Sequence, residues 1–336
     1  MSYLRFDETT LDWIIFAPSR ARRPHELRRQ CPEPAEPPDA TEHCPFCPGN
    51  EGRTPHEIFA VRPAGGAASD WQVRVIPNKF PALTIEADPR HQDDAEGFRT
   101  MGGCGAHEVV IESREHSRPL ADQPVDQIER VLRAVQARSQ DLLRDKRFQT
   151  VVAFKNHGES AGTSLRHPHW QVIATPVVPR LLRQKHAVAT DYFDQTGRCL
   201  YCVMLERELA AKRRILAVND DFAAVLPYAS HVAFETWILP RHHLSSFAFE
   251  EPHRLRALAE LLKTTLMKLH RGLENPDFNL AIDTAPRGDE LKEYFLWHMR
   301  ILPHLSTPAG FELGSGMSIN TILPEEAAEY LRGIKT

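Results

Sequence analysis

Apolar positions along this chain fall into strand-like and helix-like patterns that follow one another in the same order twice. The run HEVVIESREH, from His107 to His116, carries Val109, Val110 and Ile111 between charged residues. FETWILPRHH, from Phe234 to His243, carries Trp237, Ile238 and Leu239 in the same place. Each predicts a short buried strand that leads to a histidine. A helix is expected after each run. Ile128, Val131, Leu132, Val135 and Leu142 recur at three- and four-residue spacing over 125–143, and Leu255, Leu258, Leu261, Leu262, Leu266 and Leu269 repeat that spacing later. Pro124 and Pro252 stand near the two helix starts, where a missing N–H costs little. A second strand is expected next, Gln149 to Lys155 or Phe278 to Ile282, and then a strand built around His167 or His298.

A cysteine pair precedes each series, Cys44-Pro45-Phe46-Cys47 and Cys199-Leu200-Tyr201-Cys202. From His116 to His167 is 51 positions, and from His243 to His298 is 55. Four landmarks in one order predict an α+β chain of two tandem repeats, each an antiparallel sheet with packed helices. The expected units are residues 1–182 and 183–336. Pro- and Gly-rich stretches at 32–38 and 63–68 are expected surface loops.

Composition narrows the chemistry. A length of 336 residues with 42% hydrophobic and 26% charged positions suits one large or two medium globular domains. The net charge of −4 argues against a polyanion-binding surface, so no nucleic-acid partner is expected. No stretch of about 18 apolar residues predicts a membrane span, and acids at Asp7, Glu8 and Asp12 argue against a signal peptide. A cytoplasmic protein with reduced thiols follows, in which six cysteines are better read as ligands or core residues than as disulfides.

Each repeat then offers two thiols and two histidines, a donor set that suits tetrahedral zinc. The expected sites are Cys44, Cys47, His116 and His167 in the first repeat, and Cys199, Cys202, His243 and His298 in the second. Both would be closed, structural sites, with His242 competing with His243. The main chemical signal is Asn156-His157-Gly158 followed by GTSLRHPHWQ, residues 162–171. Gly158 and Gly162 allow a backbone that turns N–H groups toward an anion, and Ser164 and Gln171 add neutral donors. His169 is the candidate nucleophile, because neutral imidazole attacks phosphorus near pH 7 and the adduct is itself reactive. An isolated histidine is more often a core residue or a further metal ligand, but these surroundings favour chemistry. Aligning His298 with His167 puts Arg300 opposite His169 and Leu302 opposite Gln171, so the reactive pair is expected only once.

HPHWQ after NHG and GTS, with CPFC upstream, resembles the galactose-1-phosphate uridylyltransferase family, a duplicated branch of the histidine-triad superfamily. The resemblance runs from about Cys44 to Arg332. It implies a nucleotidyltransferase that moves a nucleoside monophosphate between a nucleotide sugar and hexose-1-phosphate through a covalent nucleotidyl-histidine. By position it assigns His169 as nucleophile and Gln171, Ser164 and Asn156 as phosphate contacts within the Gly162 loop. It places Asn78 in the nucleoside pocket and Phe311 in a sugar-pocket segment that reaches a neighbouring subunit, hence a homodimer. It also implies the first zinc site. This chain departs from better-known members: Gly310 and Gly316 replace a lysine and a glutamate, and only His298 remains of an HxH pair in the second metal site. The segment AGFELGSGMSIN and the second cysteine pair look more like a sub-branch that includes ADP-glucose-type phosphorylases, which use phosphate as acceptor. A zinc-stabilised binding module without chemistry is the alternative from another class.

Overall fold

The computed structural model describes residues 2–18, 40–93 and 96–336. The expected loop at 32–38 lies outside these residues. The N-terminal hairpin pairs β1 (Tyr3–Asp7) with β2 (Asp12–Phe16), and the short helix α1 (Ala40–His43) leads into the first cysteine pair. Strands β3 (Phe59–Val61) and β4 (Val73–Pro77) flank the 63–68 loop, which is exposed as expected. A small hairpin, β5 (His91–Asp93) and β6 (Arg99–Met101), precedes β7 (Ala106–Ile111). Helix α2 (Val125–Leu142), β8 (Thr150–His157) and β9 (His169–Thr175) follow.

Helices α3 (Arg180–Thr196) and α4 (Leu200–Ala211) then lead to β10 (Ile215–Val218), β11 (Phe222–Val225) and β12 (Thr236–Pro240). After α5 (Arg254–Gly272) come β13 (Phe278–Asp283), β14 (His298–Pro303), α6 (Gly310–Ser315), β15 (Ile319–Asn320) and α7 (Pro324–Gly333).

Ten of these strands form one antiparallel sheet in the order β10-β11-β12-β14-β13-β8-β9-β7-β4-β3. The order reads the same from either edge toward the central β8–β13 seam. Residues 1–182 and 183–336 contribute five of these strands each.

Side-chain alternation explains the layering. Val110 of β7 and Trp170, Val172 and Ala174 of β9 join Ile128, Val131, Leu132 and Val135 of α2 and the leucines of α5 in one large core. Val109 and Ile111 point the other way, into a second cluster with Cys44, Phe46, Cys47 and Trp71. The second half repeats this with Trp237 and Leu239, which pack with Cys199, Leu200 and Tyr201. Both cysteine pairs therefore lie on the sheet face opposite α2 and α5. Trp170 is fully buried, so its truncation to alanine would cost about 3–5 kcal/mol.

Candidate active site

The chain between β8 and β9 is shaped by two glycines. Gly158 has φ +86°, and a Cβ there would lie 1.9 Å from Asp277 Oδ1, so only glycine fits. Asp277 earns this proximity by accepting from the backbone N–H of Ser160 at 2.8 Å and from its hydroxyl at 2.7 Å. Gly162, at φ +85°, turns the chain a second time. Thr163, Ser164 and Leu165 consequently line an open cavity of about 560 Å³ whose wall also includes Asn156, His167 and His169.

His169 starts β9 and is buried. Its Nδ1 donates to the carbonyl oxygen of His167 at 2.9 Å, which leaves the lone pair on Nε2. Burial pushes the ring's pKa down to about 4, opposed by that carbonyl and assisted by the charge of Lys155. The imidazole is therefore neutral near pH 7, the form a nucleophile needs. Gln171 lies on the same strand face, but its Oε1 accepts from His107 Nε2 at 2.7 Å. Asn78 lies beside the same ring, its Nδ2 3.1 Å from His107 Nε2, and is not on the cavity wall. Phe311 is also away from the cavity, half-exposed on α6.

Cys44, Cys47, His116 and His167 converge, with their donor atoms all within 4.8 Å of one another. Cys47 Sγ lies 3.1 Å from His116 Nδ1 and 3.5 Å from His167 Nδ1, and Cys44 Sγ lies 3.7 Å from His167 Nδ1. Tetrahedral zinc with ordinary bond lengths separates sulfur from nitrogen by about 3.5 Å, so this set fits the ion. His167 Nε2 donates to the Ser113 carbonyl at 2.8 Å, which turns Nδ1 toward the thiols.

The second set converges only in part. Cys199, Cys202 and His243 form a group, with Cys202 Sγ 3.3 Å from His243 Nδ1. His242 is turned away, its Nε2 3.0 Å from Glu250 Oε2, so His243 is the histidine at this group. His298 does not join. Its Nδ1 donates to the Leu296 carbonyl at 3.0 Å, and its ring stacks on Trp237 at 4.8 Å.

This corrects the alignment of the two halves. Gln171 pairs with Phe154, Phe154 with Ala281 across the central seam, and Ala281 with Arg300. Arg300 thus occupies the place of Gln171, His298 that of His169, and Leu296 that of His167. The ring contacts agree: Phe46 lies 5.4 Å from His169, and Tyr201, the matching residue of the second cysteine pair, lies 4.9 Å from His298. The expectation that matched His298 to His167 is off by two residues, a full period on a strand, which preserves the face and conceals the slip.

The sequence reading missed several residues. Lys155 lines the cavity while fully buried and ion-paired to Glu112. Asn275 reaches the cavity from the second half, with Oδ1 2.8 Å from His157 Nε2. His107 holds Gln171 and lies against Asn78. Lys155 immediately precedes Asn156 of the motif and could have been found there; Asn275 has no local signal.

Comparison with known proteins shows the family of the chain. Residues 1–179 match the family described as galactose-1-phosphate uridyl transferase, N-terminal domain. The chain is 35% identical over 334 residues to ADP-glucose phosphorylase of Arabidopsis thaliana, covering 98% of this chain and 92% of that protein. It is 26% identical over 340 residues to galactose-1-phosphate uridylyltransferase of Thermotoga maritima, covering 99% and 98%. The crystal structure of an ADP-glucose phosphorylase from Arabidopsis thaliana with bound ADP-glucose matches with a TM-score of 0.84 at 33% identity, over 100% of both chains. A uridylyltransferase structure matches with a TM-score of 0.75 at 27% identity, over 99% of this chain and 97% of that one. The chain belongs to the galactose-1-phosphate uridylyltransferase family, together with its ADP-glucose phosphorylase branch.

Proposed function

We propose that this protein is a nucleotide-sugar phosphorylase that works through a covalent nucleotidyl-His169. The observation that carries the reading is His169 itself, neutral in the cavity wall with Nδ1 committed to the His167 carbonyl and Nε2 left as the attacking atom. Nε2 attacks the α-phosphorus of a nucleotide sugar, the bond to the hexose-1-phosphate oxygen breaks, and hexose-1-phosphate leaves. An oxygen of inorganic phosphate then attacks the same phosphorus, releasing a nucleoside diphosphate and restoring the imidazole. The 35% identity to a phosphorylase over nearly the whole chain supports ADP-glucose as donor. Gly310 and Gly316, where better-known uridylyltransferases carry side chains that hold the hexose, support phosphate as acceptor.

Asn156, Ser164 and the Gly162 turn would hold the phosphates, and Gln171 would present its amide nitrogen once its oxygen is held by His107. Asn78 would contribute to the nucleoside pocket and Phe311 to the site of a second subunit in a cytoplasmic homodimer. Zinc in the Cys44, Cys47, His116 and His167 set would tie three separate chain segments together and fix the backbone two residues from His169. The units 1–182 and 183–336 are proposed as histidine-triad-like repeats, of which only the first does the chemistry.

The second reading is transfer to hexose-1-phosphate, favoured by the similarity to uridylyltransferases over 99% of the chain. Incubation with labelled ADP-glucose or UDP-glucose, without acceptor, followed by acid and alkaline quenching, tests both readings. An acid-labile, base-stable adduct is expected, discharged by phosphate with formation of nucleoside diphosphate. Discharge by galactose-1-phosphate alone would select the second reading. No adduct with either donor would leave a zinc-stabilised binding module.

A further inference from the structure

The two cysteine-histidine sets differ in one residue, and the difference has a chemical consequence. At the first, His167 completes four donors. At the second, Leu296 stands in that place, fully buried in the same apolar cluster as Cys199, Leu200 and Tyr201. Among the described residues, no further Cys, His, Asp or Glu brings a donor atom into the group of Cys199, Cys202 and His243. His298 of β14 is ion-paired to Asp283 of β13, which is also paired with Lys185 and Arg300. Glu206 and Glu293 act on the charges of Cys202 and His243 but bring no oxygen into the group.

The three remaining donors are nevertheless arranged as ligands. The 3.3 Å between Cys202 Sγ and His243 Nδ1 is close to the spacing across a tetrahedral ion. His243 Nε2 faces the Lys292 carbonyl at 3.3 Å, the same orienting contact that His167 makes with Ser113. The group is also reachable from solvent, because His243 is exposed and Cys202 half-buried, whereas the first set is buried except for His116.

Three protein donors of the type Cys2His leave a tetrahedral metal one position for a small exogenous ligand, whereas four close it. We propose that Cys199, Cys202 and His243 form an open-coordination site for a zinc-class ion, with Leu296 as the residue that keeps its fourth position free for an exchangeable ligand such as water, azide or a small thiol. The two sites of one chain would then differ in kind, one closed and structural, the other open and labile.

The test uses the full-length protein with cobalt(II) in place of zinc, read by visible absorption and metal content. Two ions per chain are expected, and azide should shift the bands of one of them while leaving the other unchanged. A chelator should remove the azide-sensitive ion faster than the other. Cys202→Ser, at a partly exposed position, should abolish the azide-sensitive bands alone, and Leu296→His should make them insensitive. The wild-type protein decides the matter even if the buried substitution prevents folding. One azide-insensitive ion per chain, two insensitive ions, or a Cys199–Cys202 disulfide in place of metal would each overturn the proposal.

Discussion

His169 donates from Nδ1 to the backbone carbonyl of His167, the residue two positions before it, at 2.9 Å. One short segment thereby couples a metal-ligand candidate to the proposed nucleophile through the main chain rather than through a side chain. Replacing the His169 ring should leave the metal set intact. His169→Gly is expected to keep its metal content and melting temperature close to wild type, yet form no nucleotidyl adduct and lose about 10⁴-fold or more in turnover. Near-normal transfer by this variant, or mass spectrometry placing the adduct elsewhere, would remove His169 from its role.

Gln171 is held by His107 at 2.7 Å, so its amide nitrogen is the group left for a phosphate oxygen. Gln171→Ala should reduce turnover by about 10²–10³-fold with little change in stability, the range for losing one neutral donor to a developing charge. His107→Phe should lower turnover in the same direction by releasing Gln171. Single-turnover adduct formation measures both.

Gly158→Ala should destabilise the protein, since the added methyl meets Asp277 and φ +86° is unfavourable for alanine. A cost of about 1–3 kcal/mol is expected from the backbone alone. Thermal melts would show it, and an unchanged midpoint would mean that the turn is not as tight as described.

Cys44→Ser should lower thermal stability and metal content more than it lowers the turnover of the folded fraction, because four protein donors leave a metal no position for substrate. Chelation that stops turnover at once without unfolding would point to a catalytic metal instead.

Asp7 and His231 join the N-terminal hairpin to the second half, Nε2 to Oδ2 at 2.9 Å. Burial would raise the Asp7 pKa, but the hydrogen bond and charge of His231, with bonds from Thr9, outweigh it and hold Asp7 at about 2 against an ordinary 3.8. Its contribution, on the order of 2 kcal/mol, is present above pH 4 and is lost as pH falls toward 2. His231 is shifted up: burial lowers its pKa, but the bond from Asp7 and the charges of Glu235 and Asp7 raise it more, so its contribution is full below its unfolded value and fades as pH rises through the folded one. Asp7→Asn should therefore flatten the stability profile between pH 4 and 2. Denaturant melts across that range would check it, and an unchanged acid limb would contradict the assignment.

The elements themselves were legible in the residues. Apolar spacing placed α2 over 125–143 and the strands around 107–111 and 278–282, because binary patterning and local geometry share a period. Cysteine and histidine types were enough to assemble the first metal set and to single out His169, since donor chemistry depends on residue identity. Register was not legible in the same way. A slip of two residues keeps every side chain on its face, so sequence alone matched His298 to His167, and only the pairing of Gln171, Phe154, Ala281 and Arg300 across the central seam separated them. The cavity contacts from Asn275, the capture of Gln171 by His107 and the burial of Lys155 against Glu112 likewise depended on tertiary structure. Each joins chain segments whose approach is decided by how the sheet closes, not by any local preference.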